Sequence, residues 1–317
     1  MPRVLITGAS GFIGRPLCAQ LAQHGYTVRA ALRAVQPPLL RVDETVTVGD
    51  IGAATEWDTA LENVEYVVHA AARAHVLRTT RAMAQQFFEV NVRGTEGLAQ
   101  AAARAGVRRF LYLSSIKVNG EATTVRPFRF DDTPHPQDDY ARSKQQAEAA
   151  LTAAAEGTRM QVAIIRPPLV YGPGVRANFL RLMRWVDRGR VLPFGAISNA
   201  RSLVSVWSLN DLLLTLLAHP RSVAGVWLVS DGEDLATPEL LRRIAHALGR
   251  DVRLAHVPTR LLRLAAALLG RGAEMSRLCG SLQVDAAPTR DALQWRPPVS
   301  LAEALERTAA WYAREQR

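Results

Sequence analysis

Lysine is nearly missing from this chain: of 39 basic residues, only Lys117 and Lys144 are not arginine. Cysteine is as scarce. Cys18 and Cys279 stand far apart and match no metal-ligand spacing, which excludes a zinc motif and a disulfide framework and leads us to expect a reducing, cytoplasmic setting. No apolar run approaches the ~18 residues of a membrane span; the longest cover residues 212–218 and 264–269. Met1 is followed almost at once by strand-like residues, without the charged and apolar regions of a signal peptide. The net charge is +10, yet the arginines are dispersed among Asp and Glu, and no basic block with interleaved aromatics appears. Nucleic acid is therefore not the expected partner, whereas an anionic small molecule suits such a charge. No metal site is expected.

What is present begins at the N-terminus. Val4-Leu5-Ile6 reads as a strand, Thr7-Gly8-Ala9-Ser10-Gly11-Phe12-Ile13-Gly14 as a turn, and Leu17 and Leu21 open a helical stripe. Glycines at 8, 11 and 14 let a pyrophosphate approach the backbone and the free N–H groups of a helix start. The spacing is G-x-x-G-x-x-G rather than the G-x-G-x-x-G fingerprint. Further strands are expected at residues 26–33, 46–51, 65–72, 110–115 and 162–165, alternating with helices, and this pattern predicts an α/β, Rossmann-like, doubly wound parallel sheet. The second strand ends in Leu32-Arg33, where NAD binders usually place an acid, and Arg33 is a candidate for a 2′-phosphate. Asp50 closes the third strand, and Ala70-Ala71-Ala72 end the fourth with small side chains. Asn91 lies within an apolar helix, either as a tolerated polar residue or bending that helix and holding a water.

The fifth strand ends in Ser114-Ser115, at the carboxyl end where such sheets bind ligands. Tyr140 and Lys144 then stand four residues apart on one face of a helix over residues 140–155. A phenol ordinarily titrates near ~10, and a fixed ammonium beside it would lower that value. Beyond Arg166-Pro167-Pro168 the alternation loosens. We expect residues 1–166 to form a dinucleotide-binding domain and 167–317 mainly a smaller substrate-binding lobe, with Val226-Trp227-Leu228-Val229 rejoining the sheet. Ser208 or Asn210 is expected to cap the helix that ends at Ala218. Residues 261–269, flanked by Arg260, Arg263 and Arg271, are amphipathic and read as a surface helix capping the lobe in preference to a membrane-associated one.

Together the glycine turn, Asp50, the His69-Ala70-Ala71-Ala72 stretch, Asn91, Ser114-Ser115 and Tyr140-x-x-x-Lys144 resemble the extended short-chain dehydrogenase/reductases, in particular the NAD-dependent epimerase/dehydratase family. The resemblance implies that Tyr140 is the acid/base, that Lys144 binds the nicotinamide ribose and lowers the phenol pKa, and that Ser115 bonds the reacting oxygen. It implies cofactor contacts from Gly8, Gly11, Phe12, Ile13, Gly14, Arg33, Asp50, Ile51, Ala70, Ala71, Ala72, Asn91, Tyr140, Lys144 and Pro167. Asn178, Phe179, Arg201 and Arg277 correspond to contacts with a nucleotide sugar, Arg201 being the favoured diphosphate ligand, and a homodimer is implied. Ser115-Ile116-Lys117 replaces the Thr-Asp-Glu of 4,6-dehydratases, so dehydration is not expected. Leu32-Arg33 favours NADP(H), with NAD(H) as the alternative cofactor. The leading expectation is therefore reduction of a UDP-4-keto-hexosamine by NADPH. A 4-epimerase with bound NAD is second, and a non-catalytic dinucleotide sensor third.

Overall fold

The computed structural model describes residues 1–35, 39, 41–74 and 81–315. Its main sheet has seven strands, all parallel: β1 (Arg3–Thr7), β2 (Thr27–Leu32), β3 (Glu44–Thr47), β4 (Tyr66–His69), β5 (Arg109–Leu113), β6 (Gln161–Arg166) and β9 (Gly225–Leu228). The order across the sheet is β3-β2-β1-β4-β5-β6-β9. Apolar, largely β-branched cores such as Val4-Leu5-Ile6 and Val162-Ala163-Ile164-Ile165 suit strands covered on both faces. One face packs against Leu17 and Leu21 and against Leu209, Leu212 and Leu216, and the other against Trp57, Leu98, Ala102 and Leu151. Strand order reverses between β1 and β4, which opens a crevice at their carboxyl ends.

A second sheet joins β7 (Leu169–Tyr171), β8 (Arg201–Ser205) and β10 (Asp234–Leu235), over a core that includes Tyr171, Phe179, Leu203, Leu235 and Leu241. After β8 the chain returns to the main sheet, so the segment holding Val226 to Leu228 pairs with β6, as its residues led us to expect. Two local expectations are corrected. The third strand is Glu44–Thr47 rather than residues 46–51, because Gly49 takes a positive φ of 74° and turns the chain, leaving Asp50 and Ile51 beyond the strand. The helix Val206–Ala218 is capped by Ser205, whose Oγ accepts from the Ser208 N–H at 3.2 Å, and not by Ser208 or Asn210.

A buried ion pair ties the sheet to the helix Asp139–Ala155. Arg166, at the end of β6, donates from Nε to Glu148 Oε1 at 3.0 Å and from Nη2 to Oε2, and its Nη1 donates to Asn119 Oδ1 at 3.0 Å. Ser114 at the end of β5 donates to the same Glu148 carboxylate. Both charged groups here are paired and further hydrogen-bonded, which is the condition under which a buried pair is tolerated. Removing one member leaves the other buried and uncompensated. Glu148→Ala is expected to lower unfolding stability by about 3–5 kcal/mol, read from the urea midpoint; an unchanged midpoint would show that Arg166 finds water or another partner.

Candidate active site

The turn after β1 is shaped by contacts that exclude side chains. Gly8 has φ +72°, and a Cβ there would lie 2.8 Å from Ala71 N; a Cβ on Gly14 would lie 2.2 Å from Gly8 O. Gly11 N–H closes the turn on Gly8 O at 2.9 Å, and the N–H groups of Phe12 and Ile13 meet no backbone carbonyl among the described residues. The helix Gly14–Gln23 follows directly. Unpaired amides at the positive end of a helix are the groups that meet an anion where one binds. Near the turn, Asn210 donates to Ile13 O at 3.4 Å while its own Oδ1 is buried without a partner.

A buried polar chain runs from this turn to the tyrosine helix. Thr7 Oγ1 and His69 Nδ1 are 2.6 Å apart, His69 Nε2 and Thr95 Oγ1 3.0 Å, and Thr95 Oγ1 donates to Asn91 O at 2.7 Å. Because the Thr95 proton is used on Asn91, the imidazole donates from Nε2 and accepts the Thr7 hydroxyl at Nδ1. Burial first, and then the nearby Lys144 charge, lower the His69 pKa to about 3, so the ring is neutral. Asn91 sits in a wide helical turn, Phe88–Arg93. Its amide accepts from Arg73 N–H at 2.8 Å and donates to Arg73 O at 3.1 Å and to Ser143 Oγ at 3.0 Å; Ser143 in turn donates to Tyr140 O at 2.7 Å. The Asn91 amide thus clamps the loop after β4 to the helix that carries Tyr140.

Ser115 and Tyr140 are brought together, close enough for the Ser115 side chain to lower the phenol pKa against burial. Ser114 points the opposite way, to Glu148, as alternation along a strand requires. Tyr140 packs edge-on against Phe87, with ring centroids 6.0 Å apart. Lys144 is only 1% exposed, and its ammonium lies 4.2 Å over the Tyr112 ring. Burial lowers the Lys144 pKa to about 7, with Glu148 pulling the other way. The Tyr140 phenol is pushed up to about 12 by burial and by the Asp138 carboxylate, against the Ser115 side chain. Sequence reasoning anticipated a phenol depressed by Lys144. In the structure burial of the phenol itself, and then the Asp138 carboxylate, act the other way.

The other anticipated residues divide. Ala70 and Ala71 line the Gly8 contact, Ile51 lies against Gly94 with a would-be Cβ 2.3 Å away, and Pro167 is buried where its carbonyl accepts from Ile116 N–H at 3.0 Å. Ala72 is exposed. Arg33 and Asp50, read as separate adenosine contacts, form an ion pair with each other, Nε to Oδ1 at 2.8 Å, both more than 80% exposed. Arg201 donates to the carbonyls of Arg277 and Gly280 at 2.7 and 2.9 Å, so it is joined to Arg277 through the main chain. Asn178 is exposed and accepts from Arg181 at 3.1 Å. Phe179 is a correction: its ring is fully buried and stacked on Tyr171 at 5.1 Å, because Phe179, Leu182, Met183 and Val186 form the inward stripe of their helix. Sequence reasoning did not single out Thr7, Thr95, Ser143 or Glu148. The last two had a signal, since they lie three residues after Tyr140 and four after Lys144 on one helix.

A glycine turn at the switch point, together with Ser115 beside Tyr140 and a buried lysine one turn on, suits nicotinamide-dependent oxidoreduction. The chain belongs to the NAD dependent epimerase/dehydratase family. That family's model matches residues 4–229. The chain is 44% identical over 316 residues to a UDP-glucose 4-epimerase of Vibrio cholerae, covering 98% of this chain and 95% of that protein. It is 30% identical to a GDP-6-deoxy-D-mannose reductase of Pseudomonas aeruginosa, covering 96% and 94%. Among solved structures, MoeE5 in complex with UDP-glucose and NAD superposes with a TM-score of 0.79 at 26% identity, covering 99% of this chain and 100% of that one. The protein is an enzyme of the extended short-chain dehydrogenase/reductase type.

With two lysines in the chain, a sample labelled at lysine Cε should show two resonances, one of them titrating with a midpoint near 7 and vanishing in Lys144→Met. A midpoint in the ordinary lysine range would mean that Lys144 is far better solvated than the structure shows.

Proposed function

We propose that this enzyme is a UDP-sugar 4-epimerase. The observation that carries the reading is the 44% identity to a UDP-glucose 4-epimerase across 98% of the chain. The Ser115–Tyr140 pair supports it, as does the glycine turn. Gly8, Gly11, Gly14 and the amides of Phe12 and Ile13 would hold the dinucleotide pyrophosphate, and Lys144 the nicotinamide ribose. The bound nicotinamide would supply the hydride acceptor at the sugar C4 and return the hydride to the opposite face. As the phenolate, Tyr140 would take the proton of the C4 hydroxyl and give it back after the sugar has turned, while Ser115 would hold the C4 oxygen. Arg201 and Arg277 would receive the diphosphate.

A reductase acting on a UDP-4-keto sugar is the second reading, and two observations favour it. Leu32-Arg33 replaces the acid expected for NAD, and Arg33 is exposed with only a surface ion pair to exchange for a 2′-phosphate. A phenol near 12 also keeps its proton at neutral pH, which suits donation. A non-catalytic sensor would need neither Ser115 nor Tyr140.

The test is to incubate the purified protein with UDP-glucose and with UDP-N-acetylglucosamine and to follow the sugar C4 configuration by NMR. Appearance of the C4 epimer without added reductant supports the epimerase. Stoichiometric NADPH consumption with a 4-keto sugar, and no epimer, would replace it with the reductase. In either case Tyr140→Phe should lower turnover by ~10² to 10⁴ with dinucleotide affinity little changed. Parental turnover in that variant would remove Tyr140 from the chemistry.

A further inference from the structure

The described residues contain one stretch where large apolar side chains gather on the outside. The helix Thr259–Leu268 buries only Leu262 and Ala266. Leu261, Leu264 and Leu268 are 55%, 59% and 81% exposed, and Leu269, just past the helix end, is 73% exposed. At helical spacing Leu261, Leu264 and Leu268 form one stripe, turned away from the Leu262–Ala266 contact by well over a quarter turn. Arg260 and Arg263 form a second stripe beside it, and Arg271 follows after the turn at Gly270. No ion pair engages any of these three arginines among the described residues. The chain has no Asp or Glu between Asp251 and Glu274, and Glu274 is held by Arg181 at 2.8 Å.

Leu262 joins the core of the lobe, and the opposite side of the same helix is also apolar. Leu262 and Ala266 hold the helix on the lobe, while Leu261, Leu264 and Leu268 face outward. We propose that this face docks on an anionic phospholipid bilayer, the leucines entering the acyl boundary and the arginines meeting the headgroups. Charge complementarity decides the occupant. A second copy meeting the same face across a two-fold axis would set arginines against arginines, whereas a phosphate-bearing surface meets both parts of the pattern. The helix leads into Gly272–Cys279, whose Arg277 carbonyl holds Arg201, so docking would place the bilayer beside the lobe without using the catalytic residues.

The experiment is sedimentation of the full chain with vesicles of mixed phosphatidylglycerol and phosphatidylcholine, and with phosphatidylcholine alone. Binding is expected on the anionic vesicles, weakened by high salt, and reduced by about fivefold or more in Leu264→Glu/Leu268→Glu and in Arg260→Glu/Arg271→Glu. Thermal unfolding and dinucleotide affinity of the variants should match the parent, which separates lost docking from lost folding. Equal sedimentation with both vesicle types, or undiminished binding by the leucine variant, would overturn the proposal. So would a parent dimer that the leucine variant converts to monomer while vesicle binding persists, since the face would then belong to self-association.

Discussion

The hydrogen bond between Thr7 and His69 sets the geometry on which both halves of the site depend. The two residues are register partners at the last rung of β1 and β4, so their side chains emerge together where the sheet reverses direction. Thr7 also accepts from Ala71 N–H at 3.1 Å, which brings the loop after β4 against Gly8. From His69 the chain of partners continues through Thr95, Asn91 and Ser143 to the backbone of Tyr140. Glycine turn and phenol are thus held by one satisfied network, and a fully satisfied buried network is rigid. The imidazole in the middle is neutral, because burial disfavours a cation there and the nearby Lys144 adds to that.

Lys144 shows what the arrangement costs. Its folded pKa, about 7, lies below its unfolded value, so between those two values the unfolded chain holds a proton that the folded chain does not. This group's contribution to stability therefore falls as pH drops from the ordinary lysine range towards 7, and changes no further below that. A methionine would fit such a site better. The fold keeps an amine there over Tyr112 and four residues from Glu148, in a chain that otherwise uses arginine for nearly every cation, and functional sites are where such conflicts between local preference and global fold collect.

Much of this was legible in the residues. The strand, glycine turn and helix at the N-terminus, the apolar strands and the Tyr140–Lys144 spacing all rest on local patterns that the structure repeats. What escaped depended on packing partners far away in sequence. Phe179 is apolar whether it lines a cleft or a core, and only its stacking on Tyr171 decides. Arg33 and Asp50 each had a reading of their own, and nothing in either segment shows that they meet. Thr7 and Thr95 look like ordinary strand and helix residues until His69 is placed between them. Residues 261–269 have the periodicity of a half-buried helix, but periodicity does not say which stripe turns inward.

The route of the chain through β9 bears on how the molecule is made. Its partner β6 ends at Arg166, while β9 begins only at Gly225, after β7, β8 and the helix Val206–Ala218 have been synthesised. At roughly 5–20 residues per second on a ribosome, β6 waits several seconds as an open sheet edge. The leucine-rich helix Val206–Ala218, made in that interval, ends against the sheet with its last carbonyls bound by Arg109 of β5 at 2.7 and 2.8 Å. Nascent chains stalled within that window would carry an exposed parallel edge made of Val162, Ile164 and their neighbours, a natural target for chaperones.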